Sequence, residues 1–149
     1  MQTSLIIGLL ALLAVGVAVG LQGTLTSLLG QQTTPIWAGF FIHLGGAVVG
    51  AVIIAVAHRD AWPVTLDASL VRTILITGIL GMIVLPGIAF AFPRTGLVAG
   101  QSTIIFGQML IAVLVDTLGW AGRAPLSLDP QRLAGLLLMA VATYLLLPR

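Results

Sequence analysis

Five stretches of this chain are long and apolar enough to cross a hydrocarbon core about 30 Å thick, which takes roughly 20 helical residues. They run over residues 5–29, 36–57, 72–92, 97–120 and 130–147. Composition points the same way: 59% of the 149 residues are hydrophobic and 7% are charged, where about 25% charged is usual for a soluble domain. Six Arg and four Asp make up the whole charged set, with no Lys and no Glu. Such a chain cannot cover a globule with polar surface, so its solvent is lipid. The expected fold is an all-α integral membrane protein of five transmembrane helices, forming one domain over residues 1–149.

Local signals mark the ends of these spans. Thr34 and Pro35 fit the N-cap and first position of the second helix, and Asp129 fits the cap of the fifth. The third span is interrupted by Pro86-Gly87, read as a helix kink, and a turn is expected at Pro93-Arg94-Thr95-Gly96. Trp37, Trp62 and Trp120 lie near span ends, where indoles favour the interface. The longest loops, near residues 58–71 and 121–129, are too short to fold as domains. Function must therefore sit within or between the helices.

Several function classes are excluded. A scattered net charge of +2 does not suit nucleic-acid binding. The absence of Cys removes disulfides, thiolate nucleophiles and Cys-based metal sites. No motif of a metalloprotease, α/β-hydrolase or P-loop occurs, and no pair of acids is spaced to bind metal. Gln101-Ser102-Thr103 offers hydroxyls, but neither His lies in the same span to activate them. No catalytic residue, metal or cofactor is expected. The start does not read as a cleavable signal peptide, since Met1–Ser4 carry no basic residue and the apolar run from Leu5 exceeds an h-region.

An odd number of spans places the termini on opposite sides. The N-terminal side then carries Arg59, Arg72, Arg123 and Arg132, and the other side Arg94 and Arg149. Four against two favours the N-terminus inside, but weakly, and weak asymmetry also suits a chain that inserts both ways. The spacings Gly16/Gly20, Gly46/Gly50 and Gly96/Gly100 read as helix-packing surfaces.

Polar side chains at membrane depth are costly and are therefore candidates for function. Gln22 lies seven residues before the end of span one, and His43 seven after the start of span two. At ~1.5 Å per residue both sit roughly 10 Å below one face, where a helical hairpin could bring them together. Pro86 lies at a similar depth and leaves the carbonyl of Met82 without its helical donor. Gln101 and Gln108 are seven apart, on nearly the same face of span four, with Gln108 close to the midplane. For His43 the alternatives are a proton-coupling or substrate-contacting imidazole and a neutral histidine bonded to a neighbouring helix. For the glutamines they are solute recognition and interhelical bonding. Asp116, nearer the water interface, is either ion-paired with a loop Arg such as Arg123 or Arg132, or a gate or ion-coupling carboxylate.

The residues also carry a family resemblance. Gly20-Leu21-Gln22-Gly23-Thr24-Leu25, Gly78-Ile79-Leu80-Gly81, Gly107-Gln108 with Asp116 eight residues on and Gly119 and Gly122 after it, and Arg132-Leu133-Ala134-Gly135 resemble the YdcZ-like family. The similarity spans essentially the whole chain. It departs at Gly23, where family members often carry Asn, and His43 lies outside the family's pattern. The resemblance implies membership of the drug/metabolite transporter superfamily, whose larger members have ten spans in two inverted five-span repeats. A five-span chain then corresponds to one half, completed by antiparallel pairing with a second copy or an oppositely oriented homologue. The expectation is a secondary transporter of small organic solutes in the bacterial inner membrane, working by alternating access. Gln22, His43, Gln101 and Gln108 would line its path, with span five peripheral or at the dimer contact. The alternative is a non-transporting subunit that stabilises or recruits another membrane protein.

Overall fold

A computed structural model describes residues 2–57, 65–120, 124–127 and 129–148, and all regular structure within them is helical. The order is α1 (Gln2–Gln32), α2 (Pro35–Ala57), α3 (Ala68–Thr95), α4 (Leu97–Leu118) and α5 (Pro130–Leu145). Two compact units divide the chain, residues 1–93 with α1, α2 and most of α3, and residues 94–149 with α4 and α5. Trp62, Arg59, Arg123 and Arg149 fall outside the described residues.

The helix ends follow local chemistry. The Trp37 amide donates to Thr34 Oγ1 at 3.3 Å, so α2 has the expected cap followed by Pro35. Asp129 Oδ1 accepts the Arg132 amide at 2.8 Å, with Pro130 at the first position of α5. Arg132 Nε also lies 3.6 Å from Asp129 Oδ2. Replacing Asp129 by Ala should cost about 1 kcal/mol, nearly all from the cap, because a partly exposed ion pair adds little. Faster amide exchange confined to the first turn of α5 would show it.

The third helix is longer than expected. It begins four residues before Arg72 because Asp67 Oδ1 accepts the Leu70 amide at 2.7 Å. It also runs through Pro86-Gly87 and Pro93 to Thr95 without interruption. The expected four-residue turn reduces to Gly96 alone, whose φ of 79° favours glycine. At the far end of α4, Gly119 in the left-handed region (φ 67°) donates its amide to the Val115 carbonyl and stops the helix two residues before Trp120.

Four helices, α1 to α4, are long and apolar enough to cross a membrane. The fifth has 16 residues, or about 24 Å of helix, roughly a turn short of the hydrocarbon thickness. It ends at Leu145 rather than continuing to Leu147, because the chain passes into a turn at Leu146. Within its unit α5 packs on α4, and Thr143 Oγ1 reaches the Ser102 carbonyl at 3.4 Å.

The first unit has a core of small residues at one end. Thr26, Ser27, Ala38, Ala89 and Phe92 are buried there. Helix backbones approach at two glycines: a methyl on Gly30 would sit 2.6 Å from Ala89 Cβ, and one on Gly39 2.6 Å from Pro86 Cγ. In lipid, apolar side chains gain nothing by leaving one apolar medium for another, so close van der Waals contact between small residues holds helices together. The sequence pointed to other glycines. Gly16, Gly20, Gly46 and Gly50 have no atom of another element within 4 Å of such a methyl.

Candidate functional site: polar groups at membrane depth

Most hydroxyls within the helices bond their own backbone, whereas Thr143 reaches from α5 to α4. Thr24 donates to the Gly20 carbonyl (3.0 Å), Thr26 to Gln22 (2.7 Å), Thr77 to Thr73 (2.9 Å) and Thr117 to Val113 (2.7 Å). Ser102 and Thr103 both donate to Ala99. Each reaches back three or four residues, so these side chains need no partner helix and no water.

Carboxamides behave differently. Gln22 and Gln108 are exposed and Gln101 half-buried, and among the described residues none of their side chains makes a hydrogen bond. A primary amide offers two donors and two acceptor sites. Left unpaired in hydrocarbon, each such group costs several kcal/mol. These three positions therefore call for something beyond the single chain: an aqueous path, a bound solute or another subunit. Gln31 differs, since its amide reaches Ser27 O and Oγ near the end of α1.

His43 is placed by α2 and α3 together. Its Nδ1 lies 2.7 Å from the Gly39 carbonyl one turn earlier, and as a carbonyl only accepts, Nδ1 carries the hydrogen. The other nitrogen, Nε2, occupies the space where Gly81 lacks a side chain, and a methyl on Gly81 would overlap it. The ring thus turns to α3, while Gln22 on α1 stays exposed. Beside this contact lies a groove of about 600 Å³, lined by His43 and by α3 residues between Ile74 and Ile83. Gly81 stood in the Gly78–Gly81 motif, but only the facing helix reveals that it makes room for an imidazole. Gly39 is hidden in the same way, receiving the ring of Pro86. Gly87, beside that proline, meets nothing within 4 Å.

In the second unit Asp116 is half-buried near the end of α4. Its backbone carbonyl accepts the Leu126 amide at 2.9 Å, which holds Leu126 against the end of α4. Its carboxylate is not paired with Arg132, whose guanidinium turns to the nearer Asp129 on its own helix. Arg123, the other partner expected from sequence, lies outside the described residues. At the start of α2, Trp37 stacks on Phe41 with ring centroids 5.4 Å apart and meets Phe40 edge-on at 5.6 Å. All three rings are exposed, as suits an interfacial anchor.

No curated protein and no solved structure matches this chain. One family does: the profile described as "Putative inner membrane exporter, YdcZ" matches residues 7–145, nearly the whole length and all of the helical region but the first residues of α1. A family of exporters accords with long apolar helices whose carboxamides at Gln22, Gln101 and Gln108 make no hydrogen bond among the described residues. The chain is a multi-pass inner membrane protein of the transporter kind, and it belongs to the YdcZ family.

Proposed function

We propose that this chain is a secondary transporter that moves small organic solutes across the inner membrane by alternating access, as half of an antiparallel pair. The observation that carries the reading is that Gln22, Gln101 and Gln108 make no side-chain hydrogen bond among the described residues, whereas the neighbouring Thr24, Thr26, Ser102 and Thr103 bond their own helices. Gln22 and Gln108 retain all their hydrogen-bonding capacity at depths where lipid offers none, which suits a path for polar or amphipathic solutes. His43 and Gln101 add further polar groups to that path, and Asp116 stands near one mouth. The five-helix chain corresponds to one half of the inverted repeat of the drug/metabolite transporter superfamily. Its second half is another copy or an oppositely oriented homologue. Exchange of conformation between the two halves moves the opening from one face to the other.

In this arrangement α5 crosses the bilayer despite its 16 residues. Local thinning of the bilayer and assembly with a partner both accommodate a short span at modest cost. Topology reporters fused to the C-terminus test the arrangement directly, one active only in the cytoplasm and one only outside it. With the weak arginine asymmetry noted above, signal from both is expected, as an antiparallel homodimer requires. Signal from one alone would rule out the homodimer and direct the search to an oppositely oriented partner. Copurification with an unrelated membrane protein and no solute movement would favour the non-transporting reading instead.

A further inference from the structure

We propose that the face of α4 carrying Gln101, Gln108 and Asp116 takes an amine-bearing organic solute, with its ammonium group paired to the Asp116 carboxylate and its other polar groups to the carboxamides. The proposal rests on the transporter reading and deepens it by naming the class of solute.

Six polar side chains lie on α4: Gln101, Ser102, Thr103, Gln108, Asp116 and Thr117. They divide into two sets. Ser102 and Thr103 donate to the Ala99 carbonyl and Thr117 to that of Val113, all within the helix. Gln101, Gln108 and the Asp116 carboxylate make no hydrogen bond or ion pair among the described residues. At ~100° per residue, these three fall within roughly 80° of arc. They form one face that runs ~22 Å along the helix from Gln101 to Asp116. The helix α5 packs elsewhere on the circumference, where Thr143 reaches Ser102, about 100° round from Gln101. Gln108 is exposed and Asp116 half-buried, so a solute can reach both.

Charge decides the class of solute. Asp116 stands two residues before the end of α4 at Leu118, where the helix dipole disfavours an anion and favours a cation. Within the same unit Arg132 is held by Asp129 on its own helix at 3.6 Å, and Arg94 precedes the opposite end of α4. A half-buried carboxylate without a counterion calls for a positive donor. A divalent metal needs about six oxygen ligands, and among the described residues no group of three His, Asp or Glu is gathered. A primary ammonium needs less. It brings its own charge and three N–H donors, which form charge-assisted bonds to a carboxylate. Between the polar groups this face carries Ile105 and Ala112, which suit the carbon body of such a solute. Gln108, ~12 Å along the helix from Asp116, is placed to meet a second polar group.

The test is carboxyl-carbon NMR of the full chain in phosphatidylcholine nanodiscs, with aspartate labelled at the side-chain carboxyl. The chain has four aspartates, Asp60, Asp67, Asp116 and Asp129, and Asp116→Asn assigns the signal. The probes are butylammonium chloride, the neutral 1-butanol and magnesium chloride. Butylammonium should move the Asp116 resonance saturably, while butanol and magnesium leave it in place. Saturation-transfer NMR of the ligand then reads affinity in variants whose helices are checked by circular dichroism. Asp116→Asn should weaken butylammonium at least about tenfold, and Asp116→Glu should restore most of that loss. For 8-aminooctanamide, which carries an amide at the far end of its chain, Gln108→Leu should weaken binding several-fold and leave butylammonium unaffected. Arg123→Gln should alter neither ligand. An Asp116 resonance unmoved by butylammonium, or moved equally by butanol or magnesium, overturns the proposal. So does tighter ammonium binding in Arg123→Gln, which would make that arginine the partner of the carboxylate. Unchanged binding of 8-aminooctanamide in Gln108→Leu overturns the role given to the carboxamide. Ammonium binding can fail while neutral solutes are exported, and can persist where export is absent, so the two readings fail separately.

Discussion

Gln108→Leu is expected to lower export by at least about tenfold while the protein stays folded and paired. The carboxamide is exposed at the middle of α4 and makes no hydrogen bond among the described residues. Its removal therefore breaks no hydrogen bond among the described residues, and a leucine in lipid is favourable where glutamine is not. If Gln108 contacts solute, the substitution leaves a solute polar group unpaired, which costs about 1–3 kcal/mol and corresponds to roughly tenfold or more in affinity. The measurement compares, by mass spectrometry, solutes released into the medium by cells producing wild type, variant or neither. Crosslinking reports pairing in the same membranes. Loss of export with pairing retained assigns Gln108 to the path. Loss of pairing with it would instead make Gln108 interhelical glue, and undiminished export would remove it from the mechanism.

Gly39→Ala should destabilise the first unit by about 2 kcal/mol, although alanine is the better helix former by roughly 0.5–1 kcal/mol. The added methyl would lie 2.6 and 2.7 Å from Cγ and Cδ of Pro86, atoms of a ring that cannot rotate away. Combining it with Pro86→Ala should recover most of the loss, since removing the ring clears the space and restores an amide that can donate to the Met82 carbonyl. A coupling energy of at least about 1 kcal/mol between the two positions follows. Gly46→Ala, one of the glycines spaced for packing, serves as the contrast. Its methyl meets nothing within 4 Å, so the single chain should be unchanged or slightly more stable. Unfolding midpoints in a denaturing-detergent titration read wild type, Gly39→Ala, Pro86→Ala, their double variant and Gly46→Ala. Equal effects of Gly39→Ala and Gly46→Ala would show that the small-residue contacts do not hold the unit together.

Much of the architecture was legible without coordinates. Lipid solvation, five helices and the caps at Thr34-Pro35 and Asp129 all follow from short-range chemistry, because a helix in an apolar medium satisfies its backbone within itself. The errors were also local. A proline in the last turn of α3 reads as a helix end, yet Pro93 sits inside the helix because the break that matters is the positive φ of Gly96. An apolar run through Leu147 reads as a full span, yet α5 stops at Leu145 and is a turn short.

What the sequence by itself determined is the solvent of this protein, the number and order of its helices, and which side chains are too polar for where they lie. Which glycines pack was decided only in three dimensions. In a water-soluble helix the buried face is marked by apolar periodicity, but here every face is apolar and the pattern carries no such mark. Gly30, Gly39 and Gly81 differ from Gly16, Gly20 and Gly46 only in what another helix brings opposite: Ala89, Pro86 and the imidazole of His43. The direction of that imidazole, toward α3 and its groove, depends likewise on a vacancy in a neighbouring helix, and no spacing along one helix encodes a vacancy in the next.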